Sequence, residues 1–431
     1  MKKNSRLRLS FGRLALFVLM TTFSLDLIAE KVRLAKPESV GVSSERLKRI
    51  DELVARKLES GELVGAVSLV ARRGKIVHFN AAGYADAEAK KPMQRDTIFR
   101  IFSMTKAITT TAAMMLYEEG HYQLFDPVEK YLPELAGVKV YVETDDGNGQ
   151  LEEPRRPMTI ADLMMHTSGL TYGIFGNSEV DKKVRAANLL DRNSTTREMV
   201  EKLGKLPLFA HPGEHWQYGV STDVLGELVT RVSGKPLDEF FAELIFKPLE
   251  MVDTGFSLPE EKLDRFPVNY RWGLDGKREI AEAAATSTYL KKKPFLSGGG
   301  GLVGSTTDYL KFCQMILNGG EFGGQRLLSP KSVQLMGSNH IRDHVMPESG
   351  VRLGDGNGFG LGFRVRLDVP DTRQLGSPGT ISWGGVASTM YFIDPKEELI
   401  GLIMTQKLPT DLRIRDEFTV AVYQSLIEIS E

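Results

Sequence analysis

The spacing of apolar residues predicts a helix and then two strands near the start of the chain. A Ser-capped segment from Val42 onward places its apolar residues on one helical face, at Leu47, Ile50, Leu53, Val54 and Leu58. Gly61 closes this segment. Two apolar runs follow, at residues 66–71 and 76–79, around a polar turn at residues 72–75. Apolar runs on either side of a short turn predict a β-hairpin.

The rest of the chain predicts helices in the middle and strands again near the end. Helical patterns separated by Gly and Pro clusters cover residues 108–119, 161–165, 224–232 and 306–317. Strand-like runs and a closing helix then occupy residues 360–367, 381–383, 389–393, 399–405 and 413–429. Strands at both chain ends with helices between them indicate an α/β fold in which both ends build one sheet. We expect a sheet lobe from residues 30–95 and 355–431, and a mainly helical lobe from residues 96–354.

The first 29 residues differ from the rest in composition. An apolar run at residues 14–20 follows five basic residues, Lys2, Lys3, Arg6, Arg8 and Arg13. This order is typical of a secretory signal peptide, here cleaved near Ala29, although Leu27 is large for a position where a small residue is usual. We therefore expect a periplasmic or secreted protein with no stable membrane insertion after cleavage. An uncleaved anchor and a misassigned start codon are the alternatives.

The overall composition is that of a folded protein, and it mainly excludes function classes. Of the 431 residues, 42% are hydrophobic and 26% are charged, and the formal net charge is -1. Such a charge offers no broad basic surface for nucleic acid, and the sequence has no zinc-type Cys/His cluster or phosphate-binding glycine loop. We expect a small-molecule enzyme that uses no metal or other cofactor. Cys313 is the only cysteine, which excludes an internal disulfide, and we expect it in the core. The sequence leaves the oligomeric state open.

Ser103 starts an apolar, Ala-rich helical segment, and Lys106 follows one turn later. Side chains three residues apart lie on the same face of a helix. A hydroxyl at a helix N-terminus lies near the positive end of the helix dipole, and a desolvated lysine nearby can accept a proton. The pair is therefore a candidate nucleophile with its own activating group. Serine also caps helices and lysine is common in them, so other motifs must accompany this pair.

Further motifs follow in a recognisable order. They are residues 166–170 (His-Thr-Ser-Gly-Leu), residues 212–220 around Tyr218, residues 297–308 with their four glycines, and the Trp-Gly-Gly motif at 383–385. Together with residues 99–106, they resemble the penicillin-recognising serine hydrolases: class C β-lactamases, D-alanyl-D-alanine peptidases and family VIII carboxylesterases. The resemblance covers nearly all of the chain after the signal. It implies a β-lactamase/transpeptidase-like fold, in which helices flank an antiparallel sheet.

The resemblance also implies roles for individual residues. Tyr218 would exchange protons with Ser103 and with the leaving group, and Lys106 would supply the positive charge that a tyrosine base needs. The backbone N–H groups of Ser103 and Val386 would form the oxyanion hole. The Trp-Gly-Gly motif would lie on an edge strand facing the site, where its glycines would let the backbone approach the acyl group.

Two positions depart from the β-lactamase pattern. Val220 replaces an asparagine that contacts the side-chain amide of a β-lactam, and Trp383 replaces a lysine that helps to bind the substrate carboxylate. These replacements make the pocket more apolar, which favours a small neutral ester. We expect the substrate to contact Trp383, Gly384, Gly385, Val386 and Val220. The pattern resembles that of a family VIII carboxylesterase, which hydrolyses short-chain esters and could retain weak β-lactam activity.

Other functions remain open on the same fold. A class C-type β-lactamase, a D-alanyl-D-alanine carboxypeptidase and an acyltransferase are the enzymatic alternatives, and a non-catalytic penicillin-binding-like receptor is the alternative of a different class. The presence of Ser103, Lys106 and Tyr218 in one sequence favours an enzyme over a non-catalytic receptor. We interpret His166 and Ser168 as parts of a structural turn rather than of a catalytic triad. The sequence has no Gly-x-Ser-x-Gly elbow, which argues against an α/β-hydrolase.

Overall fold

The computed structural model of the protein describes residues 33–144, 149–341, 345–347 and 353–430. The predicted signal peptide, residues 1–29, lies outside these ranges. Within them, no helix is both long enough and apolar enough to cross a bilayer.

Both ends of the chain contribute strands to one large sheet. In the described residues its nine strands are β1 (Arg33–Leu34), β2 (Gly65–Arg72), β3 (Lys75–Asp86), β4 (Lys91–Pro92), β5 (Asn357–Phe359), β6 (Arg364–Arg366), β7 (Ile381–Gly384), β8 (Met390–Asp394) and β9 (Leu399–Thr405). Across the sheet the order is β1, β3, β2, β9, β8, β7, β6, β5, and β4 pairs with β3. Only β1 and β3 pair in parallel; the other pairs are antiparallel. The predicted antiparallel sheet built from both chain ends is confirmed.

Helices cover this sheet and fill the segment inserted into it. In the described residues they are α1 (Ser44–Glu59), α2 (Thr105–Glu118), α3 (Ile160–Met165), α4 (Glu179–Ala187), α5 (Thr196–Leu203), α6 (Ser221–Ser233), α7 (Leu237–Phe241), α8 (Thr306–Leu317), α9 (Pro330–Met336), α10 (Val369–Thr372) and α11 (Leu412–Tyr423). The Ser43 side chain caps α1 by accepting a hydrogen bond from the Arg46 N–H. The predicted helix and its cap are therefore confirmed.

Five smaller sheets of short strands connect these elements within the described residues. Their strands are Ile98–Arg100 with Val303–Ser305, Asn269–Trp272 with Arg278–Glu282 and Lys407–Leu408, Glu321–Phe322 with Gln325–Arg326, His215–Trp216 with Met346–Pro347, and Val140–Glu143 with Gly149–Glu152. The first of these sheets leads directly into the turn that carries Ser103.

The central strands β2 and β9 are buried on both faces. Val70 and Ile403 pack in a core that includes residues of α1 and α11. Leu69 and Leu402 face the larger core, which includes residues of α8. Because helices cover both faces, these two strands have nearly continuous apolar sequences rather than alternating ones.

Two element boundaries differ from the sequence prediction. Residues 360–367, predicted as one strand, form a turn followed by β6, because Gly362 adopts a φ of 83° in the left-handed region. The closing helix, predicted over residues 413–429, ends at Tyr423. Beyond it the chain turns back, and the Ile427 N–H donates to a carbonyl of the loop before α1.

The segment inserted between the two chain ends also covers the sheet. Helix α8 lies within this segment and packs on β9, and the ring of its Tyr309 lies 5.0 Å from the ring of Tyr391 in β8. Cys313, on the same helix, is fully buried, as predicted. A boundary at residues 96 and 354 would therefore separate elements that pack against each other. The division into two lobes stays a prediction.

Candidate active site

Ser103 lies in a tight turn that leads into α2. Residues Phe102–Met104 form one 3₁₀ turn, and α2 starts directly after it. Phe102 has a φ of 44°, in the left-handed region that residues other than glycine rarely adopt. Backbone strain of this kind clusters at functional sites. Met104 occupies the cap position of α2, so the Ser103 side chain does not cap this helix.

Lys106 lies one turn after Ser103, and only 2% of its surface is exposed. Its Nζ lies 3.4 Å from the Ser103 Oγ. The same Nζ donates to the Gly299 carbonyl at 2.6 Å and to the Tyr172 hydroxyl at 3.0 Å. It also lies 4.7 Å from the centre of the Tyr218 ring. The structure thus brings the predicted Ser-Lys pair into contact and holds the Lys106 Nζ in a fixed position.

A Tyr-Asp pair, which the sequence analysis missed, lies behind Lys106. The Tyr172 hydroxyl donates to the Asp223 carboxylate at 3.5 Å. Asp223 also accepts hydrogen bonds from the Ser297 hydroxyl and from the Gly299 N–H. Burial raises the pKa of Asp223, and the charge of Lys106 opposes that rise. Burial and the charge of Asp223 hold the pKa of Tyr172 well above its ordinary value.

Tyr218 lines the same cavity as Ser103, and its ring lies within an aromatic group. The ring centre is 4.9 Å from that of His166, 5.4 Å from that of Trp383 and 5.5 Å from that of Tyr172. The Trp383 Nε1 donates a hydrogen bond to the Tyr218 hydroxyl oxygen at 3.4 Å. Aromatic packing and this bond together hold the phenol at the cavity wall.

The Trp-Gly-Gly motif approaches the Ser103 turn very closely. A Cβ on Gly385 would lie 2.5 Å from the Ile101 carbonyl oxygen, and one on Gly384 would lie 2.4 Å from the Thr389 carbonyl oxygen. Neither distance is sterically possible, so both positions require glycine. The glycines therefore make room for the protein's own backbone. That they also let the backbone approach the acyl group stays a prediction.

The predicted edge position of this motif is wrong. Strands β6 and β5 lie beyond β7, because the chain forms one more hairpin before it enters β7. However, β6 pairs with β7 only at Ile381 and Ser382. Trp383 and Gly384 lie past this paired stretch, and both line the cavity. The motif therefore faces the site although its strand is internal.

One cavity of about 410 Å³ joins Ser103, Tyr218 and the Trp-Gly-Gly motif. Its wall includes Ser103, Tyr218 and the segment 383–386, in which Val386 is 43% exposed. Phe175 and Met390 add apolar surface, and β6 and α11 contribute charged side chains. A cavity of this size fits a small molecule.

Val220 does not line this cavity. It is 1% exposed, packs in the hydrophobic core and immediately precedes α6. The chain turns inward after Tyr218 to begin this helix. The structure therefore places Val220 behind the cavity wall, which corrects its predicted contact with the substrate.

His166 and Ser168 belong to a buried turn after α3. His166 has a φ of 60°, and its ring packs against Tyr218. Burial, together with the charge of Lys106, holds the pKa of His166 well below its ordinary value, so the ring is neutral. The Ser168 and Ser221 hydroxyls are hydrogen-bonded at 2.8 Å. Both residues thus agree with the interpretation as a structural turn.

One protein family and several known proteins are similar to the chain. Residues 50–424 match the family described as Beta-lactamase. The chain is 37% identical to Protein Rv1367c from Mycobacterium tuberculosis over 86% of its own length and 92% of that protein. It is 32% identical to Esterase EstB from Burkholderia gladioli over 83% of its own length and 89% of that protein. Among solved structures, EstCE1, "a hydrolase with promiscuous acyltransferase activity", matches with a TM-score of 0.75 and 29% identity, over 88% of this chain and 99% of that one.

Proposed function

Because the chain belongs to the β-lactamase family and is a serine hydrolase, we propose that it is a carboxylesterase that hydrolyses small, short-chain esters through an acyl-enzyme. Ser103 is the proposed nucleophile, and Lys106 and Tyr218 are its proposed partners in proton transfer. One observation carries this proposal: the Ser103 Oγ lies 3.4 Å from the Lys106 Nζ, on a cavity wall that also includes Tyr218 and Trp383.

In the acylation step, the Ser103 oxygen attacks the carbonyl carbon of the ester while its proton passes to the Tyr218 oxygen, beside the charge of Lys106. The backbone N–H groups of Ser103 and Val386 are the proposed donors to the oxyanion. The bond from the carbonyl carbon to the alcohol oxygen then breaks, and Tyr218 returns the proton to that oxygen. The products of this half-reaction are a free alcohol and an acyl ester on Ser103.

The deacylation step repeats this sequence with water. Tyr218 takes a proton from a water molecule as the water oxygen attacks the acyl carbon, and the charge of Lys106 again stabilises the tyrosine oxygen. The bond to the Ser103 oxygen breaks, the proton returns to that oxygen, and the carboxylic acid is released. We assign Tyr172 and Asp223 as positioning residues, because they fix Lys106 through the Tyr172 hydroxyl.

Trp383 supports an ester rather than a β-lactam as the substrate. In the sequence motif it replaces the lysine that helps to bind the substrate carboxylate in the similar β-lactamases. The buried Val220 offers no amide to the cavity. The similar protein EstB is named an esterase, which agrees with this assignment. EstCE1 is described with acyltransferase activity, so transfer of the acyl group to an added alcohol is the second candidate function.

The experiment that tests this proposal offers the full-length protein a panel of p-nitrophenyl esters, beside a penicillin and a cephalosporin. We expect a burst of p-nitrophenol and, by intact mass, a protein species heavier by one acyl group. Adding an alcohol distinguishes the two candidates, because a transferase would release a new ester in place of the acid. Neither turnover nor an adduct with any ester would contradict the proposal.

A further inference from the structure

Three arginine side chains line the cavity that contains the Ser103 hydroxyl. Arg364 and Arg366 come from β6, and Arg415 comes from α11. Residues two apart in a strand point to the same face of a sheet, so Arg364 and Arg366 share one face. Three guanidinium groups from two separate elements therefore meet at one wall of the proposed active site.

The strand register shows which face this is. Arg364 lies opposite Ser382, and Ser382 lies opposite Phe392 on the next strand. The Phe392 ring stacks on Tyr423 of α11 at 5.3 Å. The two arginines of β6 thus lie on the face that α11 covers, where Arg415 projects from the helix.

Three carboxylates act on these arginines, those of Asp394, Asp411 and Asp416, and Asp411 caps the start of α11. Asp416 is the only carboxylate among the described residues that line the cavity. Asp394 lies nearby, but it accepts the Tyr423 hydroxyl at 2.7 Å and two backbone N–H groups. Burial lowers the pKa of Arg364, with repulsion from Arg366 adding to the effect. Burial, with repulsion from Arg364 adding to it, lowers the pKa of Arg415 to about 10.

Arg364 and Arg415 are partly exposed, so their guanidinium groups are the ones that can reach a ligand. Arg366 is 6% exposed and donates to the Leu375 carbonyl and to the Gln374 side chain. Its Nε and the Nε of Arg415 are buried and have no partner among the residues that the structure describes, so neither faces the cavity. The Arg415 Nη2 donates to the Gly385 carbonyl. The Arg364 Nε donates to the Ser382 hydroxyl at 3.2 Å. A guanidinium carries five N–H donors, and its planar fork matches a carboxylate.

We propose that Arg364 and Arg415 bind an anionic group of the substrate, a carboxylate, while its ester carbonyl lies at Ser103. This inference rests on the proposed esterase function and narrows its substrate class to esters that carry a second, charged end. Met390 and Phe392, which line the same cavity, provide apolar surface for the carbon chain between the two ends. A penicillin holds its carboxylate one carbon from the reacting amide nitrogen, whereas an ester with several carbons between its two ends can extend along the cavity.

Matched pairs of esters test this proposal and show which side of the ester carries the charge. For the acyl side, mono-p-nitrophenyl glutarate is compared with p-nitrophenyl pentanoate. For the alcohol side, p-acetoxybenzoate is compared with p-tolyl acetate. We expect kcat/KM of the wild-type protein to favour the anionic ester at least tenfold in one of these pairs. That pair identifies the side on which the carboxylate lies.

Variants then assign the preference to the arginines. Arg364→Gln should reduce the ratio of anionic to neutral kcat/KM about tenfold, because a charge-assisted hydrogen bond is lost. Arg364→Lys, which keeps the charge, should retain most of the ratio. Arg415→Gln provides an independent test from α11. Arg413→Gln is the matched control, because Arg413 is on the same helix but is 79% exposed and pairs with Glu417.

A preference for neutral esters in both pairs would overturn the inference, as would a ratio that Arg364→Gln and Arg415→Gln both leave unchanged. In either case the neutral esters would still be hydrolysed, so the proposed function would stand. If no ester of either kind reacts, the proposed function itself fails. The two failures are therefore distinguishable in one set of assays.

Discussion

The indole Nε1 of Trp383 donates a hydrogen bond to the phenolic oxygen of Tyr218 at 3.4 Å. The residue that replaces the motif lysine of the β-lactamases therefore touches the proposed proton carrier directly. Trp383 thus has two roles in the proposed mechanism. It forms part of the apolar cavity wall, and it orients the hydroxyl of Tyr218.

We expect Trp383→Phe to lower kcat on p-nitrophenyl butyrate about fivefold, because the loss of one neutral hydrogen bond costs about 1 kcal/mol. KM should change little, since phenylalanine preserves an aromatic wall. Steady-state kinetics check both values. Trp272→Phe is the control, because the Trp272 indole bonds to the Gly61 carbonyl, outside the cavity. An unchanged kcat in Trp383→Phe would show that the bond does not orient Tyr218.

The esterase assignment predicts a ratio of efficiencies. We expect kcat/KM on short-chain p-nitrophenyl esters to exceed that on any penicillin by about a hundredfold, because two missing polar contacts each cost about 1–1.5 kcal/mol. Lys106→Ala and Tyr218→Phe should depress both activities together, since both reactions use one site. Equal or better efficiency on a penicillin would instead assign a β-lactamase. If Tyr218→Phe spared ester hydrolysis, His166 would be the next candidate base.

The buried His166 should make stability depend on pH. Its folded-state pKa lies well below the 6.5 of an exposed histidine. Below pH 6.5 the unfolded chain therefore binds one more proton at this residue, and the free energy of unfolding falls as the pH falls, by up to about 1.4 kcal/mol per pH unit. Urea denaturation between pH 7 and pH 5 should show a smaller slope for His166→Asn. Asparagine suits this comparison because it tolerates the φ of 60°. Equal slopes would contradict the buried, neutral ring.

We also predict that the native host exports the protein and removes about 29 residues, as the basic and apolar pattern of the N-terminus implies. N-terminal sequencing of the protein from that host decides this. A start near Glu30 is expected. An intact Met1 would show that the segment is an anchor or is not recognised as a signal.

Much of the fold could be predicted from local patterns. The predicted bounds of α8, residues 306–317, match the structure, because its apolar periodicity follows the Ser305 cap. Strand β9, residues 399–405, also matches, because it is a short apolar run with both faces buried. The order of the strands depends on pairing between the two chain ends, which local patterns do not encode. The pairing of the two chain ends was predicted with the help of the resemblance to the penicillin-recognising serine hydrolases. The family match now confirms that resemblance.

The candidate site was only partly predictable. Ser103 and Lys106 stand three residues apart, so helix geometry alone brings them together. Tyr172 lies two residues past a recognised motif, and its contacts with Lys106 and Asp223 join positions far apart in the sequence. Polar contacts between distant residues leave no periodic pattern in the sequence that would predict them. The arginine group was missed for the same reason, because it forms only when β6 and α11 pack together.

Mass analysis of Ser103→Ala beside the wild-type protein tests the central claim most directly. The wild-type protein, quenched during turnover of a p-nitrophenyl ester, should carry one acyl group on the peptide that contains Ser103. The variant should carry none and should lose ester hydrolysis, while its free energy of unfolding stays within about 1 kcal/mol of wild type because the hydroxyl caps no helix. Ser338→Ala, at an exposed serine outside the cavity, should behave like wild type. An acyl group on another residue, or more than a tenth of wild-type activity in folded Ser103→Ala, would contradict the account.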